Sequence, residues 1–173
     1  MSMTHYMELL AVNQPWNLLI FMAGPVVLAE TLAISELFLL LGGGPRWLRP
    51  VNRAAGILAG LYFTLIVLYL VPAAVVPLTL SDGWRGPLDV VAVGAYLLGG
   101  VPLAVVALLD LGLLGRGWDA ARRLRLHVAM VAAFLVVAHV AMVFGMLDPA
   151  LAWTDPAAPV VGHDHADGHG GHH

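Results

Sequence analysis

Four apolar stretches, each long enough to cross a hydrocarbon core of about 30 Å, recur along the chain at Trp16–Leu41, Ala54–Leu80, Pro87–Leu114 and Leu126–Leu147. Short breaks rich in Gly, Pro and Arg divide them: GGGPRWLRPVNR, SDGWRG and GRGWDAARRLR. A run of about 20 apolar residues satisfies its own backbone only as a helix when no water is at hand. The pattern therefore predicts an all-α, polytopic membrane protein, a bundle of four transmembrane helices over residues 16–150. Residues 1–15 form a lead-in suited to lying at the outer membrane interface, and residues 151–173 form a polar tail whose composition builds no core.

The arginines set the expected orientation. Arg46, Arg49 and Arg53 fall in the first break and Arg116, Arg122, Arg123 and Arg125 in the third, against Arg85 alone in the second. By the positive-inside rule the first and third loops face the cytoplasm, and both termini lie on the outer side of the inner (plasma) membrane. Trp16, Trp47, Trp84, Trp118 and Trp153 fall at span ends, as an aromatic belt requires. The N-terminal stretch has no Lys or Arg before its long apolar run, so it does not read as a cleaved signal.

Composition sharpens the picture. The 173 residues are 60% hydrophobic and 11% charged, with mean hydropathy +0.86. Soluble domains carry about a quarter charged residues. The formal charge of −3 points to no nucleic-acid partner. With no cysteine, a metal must be held by His, carboxylate, Met or backbone oxygen. No nucleotide-binding loop, nucleophile elbow or HExxH motif is present, and an enzyme is not expected.

Prolines interrupt three spans, at Pro25, at Pro72 and Pro77, and at Pro102. Each frees the carbonyl four residues earlier, which must find another donor or line a wet cavity. The fourth span has none and is expected to be the straightest. Gly56 and Gly60 match the close-packing spacing of membrane helices.

Candidate chemistry lies in two places. Glu30 and Glu36 interrupt the first span as AETLAISEL, where an ionised side chain costs about 2.5–3.5 kcal/mol on the insertion scale. Six residues apart, they point about 120° from each other. Counted from the arginine-rich ends, Glu30 and His139 both lie about 21 Å up, which suggests a buried pair. Glu36 falls near Tyr62, and Asp110 and His127 lie nearer the inner surface. The intramembrane metal set expected from this count is Glu30, Glu36 and His139. A plain structural staple is the competing reading, and His127 and His139, twelve residues apart on one helix, do not bracket one haem. The tail, VVGHDHADGHGGHH, adds His163, His165, His169, His172 and His173 as candidate ligands for Zn, Ni, Co or Cu ions.

The opening MTHYMELLAVNQPWNLLIFM…AETLAISEL resembles small uncharacterised bacterial membrane proteins loosely catalogued as permeases. The resemblance covers the first helix and implies transport. The expected function is thus a small permease or accessory protein handling a divalent transition-metal ion. Its partners are membrane lipid and further copies of itself or another membrane subunit. The alternatives are a non-transporting subunit that anchors, assembles or regulates a larger complex, and a redox membrane subunit.

Overall fold

The computed structural model describes residues 3–42 and 44–149; the histidines at 163, 165, 169, 172 and 173 lie outside the described residues. A short helix, α1 (His5–Ala11), precedes four long ones: α2 (Trp16–Leu40), α3 (Leu48–Leu80), α4 (Pro87–Asp110) and α5 (Ala120–Met146). All four are long and apolar enough to cross a membrane. Consecutive helices run antiparallel, and α5 returns to pack against α2, closing a four-helix bundle. Large apolar side chains such as Leu58, Leu65, Leu68 and Val136 face outward, the surface a hydrocarbon solvent accepts and water does not.

The prolines act locally. In α2 the backbone widens to a π-helical turn over Leu19–Ala23, and Pro25 leaves the carbonyl of Phe21 without its helical donor. The Tyr96 hydroxyl, from α4, donates to that carbonyl at 2.6 Å, and Tyr62, from α3, donates to the neighbouring carbonyl of Ile20 at 2.9 Å. The freed backbone is therefore satisfied by two tyrosines rather than by water. Another π-helical turn, Val71–Val75, interrupts α3 two residues before Pro77, as Leu19–Ala23 does before Pro25, and α4 is interrupted at Gly99, ahead of Pro102. Helix α5 runs 27 residues without a break.

Two helix starts differ from the apolar pattern. Helix α3 begins at Leu48, six residues before Ala54, and α5 begins at Ala120, six before Leu126. Polar first turns conceal these starts from a hydropathy count. At α5, Asp119 caps the helix by accepting from the Arg122 amide at 2.6 Å, which fixes the start regardless of the arginines that follow.

The glycine pair of α3 brings α4 close. A Cβ on Gly60 would lie 2.4 Å from the Ala107 Cβ and 2.5 Å from the Leu103 carbonyl oxygen. One on Gly56 would lie 1.9 Å from Oδ2 of Asp110. The motif serves packing within one chain, and it lets the Asp110 carboxylate pass across α3.

Candidate functional site

Toward the arginine-rich end of the bundle, three helices converge on one imidazole. His127 of α5 is 5% exposed and Glu36 of α2 is 2% exposed. Nδ1 of His127 pairs with Oε1 of Glu36, and Nε2 lies 2.9 Å from Oδ2 of Asp110, the last residue of α4. Each helix contributes a residue for a local reason. Glu36 lies on the buried face of α2 beside Ser35, whose hydroxyl donates to the carbonyls of Thr31 and Leu32 at 2.7 and 3.0 Å. Asn52 of α3 donates to that same hydroxyl at 2.8 Å, tying α2 to α3 next to Glu36. Asp110 reaches the ring because Gly56 has no side chain to block it.

Each nitrogen–oxygen pair needs one hydrogen between its lone pairs, so the two contacts share two protons among the three groups. An imidazolium flanked by carboxylates can release the proton on Nδ1 to Glu36 or the one on Nε2 to Asp110. The proton vacancy thus passes across the ring while every side chain keeps its place. Both nitrogens are engaged, so the ring offers no lone pair to a metal. Arginines lie at the same end: Arg53 donates to the Asp110 carbonyl at 2.8 Å and Arg123 to the Leu109 carbonyl at 2.6 Å. A vestibule of about 200 Å³, lined by Asn52, Asp110, Arg123 and His127, adjoins the ring.

The other expected ligands lie elsewhere. Glu30 and His139 line one cavity between α2 and α5, of about 260 Å³. Both are exposed on the bundle surface, and His139 spends Nδ1 on the carbonyl of Leu135, 2.6 Å away in its own helix. Glu36 is not among the residues that line this cavity. The expected set of Glu30, Glu36 and His139 is thus divided between two places. Among the described residues, no group of three or more His, Cys, Asp or Glu is arranged to hold a metal ion. Glu36 pairs with His127 instead of lying against Tyr62, whose hydroxyl is turned to Ile20.

A further polar cluster, unforeseen in the sequence, holds α1 at the opposite end. Asp89, fully buried near the start of α4, accepts from the His5 amide at 2.7 Å and lies 2.5 Å from His5 Nδ1. It also accepts from the Arg85 amide at 3.2 Å, while the Arg85 guanidinium pairs with Glu8 at 2.5 Å. Thr4 donates to the carbonyl of Gly145 at 2.7 Å, tying the lead-in to the end of α5. Burial pushes the Tyr6 phenol up to about 12, and its ring packs on Gly145. The sequence signal was a lone acid two residues into a helix that opens with Pro87. It read there as part of an apolar span.

The comparisons add a family and no mechanism. No curated protein and no solved structure matches the chain. The family pattern that does match covers residues 1–160, and the chain belongs to DUF6803, a family of unknown function.

Proposed function

We propose that the protein is a small bacterial inner-membrane permease that moves protons, alone or in exchange for a cation, through the Glu36–His127–Asp110 triad. The reading rests on one observation: a buried imidazole held between carboxylates from two other helices. Burying three titratable groups among apolar helices is costly, and inside a membrane such groups mark ion or proton paths by default. The arginine asymmetry supports an orientation with the triad end cytoplasmic and both termini outside. The vestibule then opens toward the cytoplasm and supplies the triad with water. The histidines of the tail suit capture of transition-metal ions in the outer compartment. The intramembrane groups suit protons.

The test uses the full chain in proteoliposomes containing a pH-reporting dye, with a potassium diffusion potential imposed across the membrane. Wild type is expected to change the lumenal pH, and Glu36→Gln and His127→Gln to abolish the change while still folding in detergent. Proton movement by either variant at the wild-type rate contradicts the reading. So does a wild-type protein that moves none, which leaves the triad as a staple in an anchoring or assembly subunit.

A further inference from the structure

The cavity between α2 and α5 has chemistry of its own. Its wall includes the aromatic rings of Phe21, Phe63, Tyr96 and Phe134, with Phe63 centred 5.1 Å from Tyr96 and 5.5 Å from Phe134. Two of its polar groups are already committed. The Tyr96 hydroxyl is spent on the Phe21 carbonyl and His139 Nδ1 on the Leu135 carbonyl. A carbonyl accepts only, so Nδ1 carries the hydrogen and Nε2 is the acceptor of the neutral ring. Glu30 is exposed on the bundle surface and lines the cavity, and no hydrogen bond or ion pair joins it to another described residue. The cavity thus offers acceptors and aromatic faces on the membrane-facing side of the bundle, and its free polar chemistry is that of a cation receptor.

We infer that this cavity binds a small lipophilic amine in its protonated form, with the ammonium on Glu30 and His139 and the apolar body against the aromatic rings. A carboxylate facing hydrocarbon is costly until a cation meets it, and aromatic faces attract ammonium groups. The volume, about 260 Å³, is near the lower limit of ligand pockets, which restricts the ligand to one ring with a short alkyl chain. An amine that partitions into lipid reaches the opening laterally, without passing the triad. The inference stands on the cavity alone and does not require the triad to move protons.

Binding is measured calorimetrically on the full chain in nanodiscs, against empty nanodiscs. The probes are N-butylbenzylamine, charged at neutral pH, and its uncharged analogue butyl benzyl ether. Wild type is expected to prefer the amine by about tenfold to a hundredfold, the range for a hydrogen bond to a charged group. Glu30→Gln removes that preference, and Ala138→Trp, which fills the cavity, removes binding of both probes. Glu36→Gln leaves the preference in place. Equal binding of amine and ether by wild type overturns the inference, as does an unchanged preference in Glu30→Gln. Failure of wild type to bind either probe, with Glu30→Gln altering its oligomeric state, overturns it in favour of a second copy covering the cavity.

Discussion

His127 and His139 are carried by the same uninterrupted helix, twelve residues and so about 120° of rotation apart, yet the bundle treats them in opposite ways. His127 has both nitrogens engaged by carboxylates of other helices and is almost completely buried. His139 spends one nitrogen on its own helix and faces a cavity on the lipid-facing side of the bundle. The acids follow the same division. Glu36 lies inside with His127, and Glu30, rotated about 120° away on α2, lies outside with His139. One face of α5 builds a proton-sharing centre, and another builds a receptor. Residue type alone distinguishes neither.

The largest effects are expected from breaking this symmetry with leucine. Glu36→Leu leaves a buried imidazole and Asp110 without their third member. It should cost about 3 kcal/mol or more, the range for removing one partner from a buried ion pair. Glu30→Leu removes an exposed carboxylate and replaces it with a side chain that hydrocarbon solvates, so its thermal transition in lipid should hold or rise. Melting temperatures of both variants in one lipid preparation check the contrast. Equal losses would erase the distinction between the two faces.

A smaller effect sharpens the buried side. Gly56→Ala drives a methyl group into the space of Asp110 Oδ2 and displaces that carboxylate from His127. Overpacking of this kind costs about 1–3 kcal/mol, and proton movement should fall with it. Gly94→Ala is the reference, because nothing lies within 4 Å of its added carbon. Improved helix propensity makes that change neutral or stabilising by up to about 1 kcal/mol. Chemical unfolding in mixed micelles distinguishes them, and equal stabilities would mean that Asp110 is not held where the geometry puts it.

Much of the fold was legible because it follows from few constraints. Run length, arginine placement and proline positions were enough to anticipate four helices, the uninterrupted α5 and carbonyls in need of donors. Tyr96 and Tyr62 were not foreseeable as those donors, since their pairing depends on how α4 and α3 rotate against α2. The depth count chose the wrong reference for α5. It took Arg125 as the inner end, whereas the helix starts at Ala120 under the Asp119 cap. Counted from the true helix ends, His127 lies about 10 Å above Ala120 and Glu36 about 6 Å above Leu40, within reach of one another. His139 then rises above Glu30, although the cavity is tall enough to include both. Asp89 was hidden for a different reason: besides the nearby Arg85 amide, its partner is His5 of the lead-in helix, 84 residues away in the chain, and no local pattern records that.

The most direct test of the account is the hydrogen-bonding state of the two histidines, read by nitrogen-15 solid-state NMR on ring-labelled protein in bilayers at neutral pH. His127→Gln and His139→Gln assign the signals. The account predicts that both ring nitrogens of His127 are hydrogen-bonded, with two protons shared across the triad. His139 should show a protonated Nδ1 and a bare Nε2. A bare, unbonded nitrogen on His127 like that of His139 would contradict the proton-sharing triad and, with it, the division of the fourth helix into two functional faces.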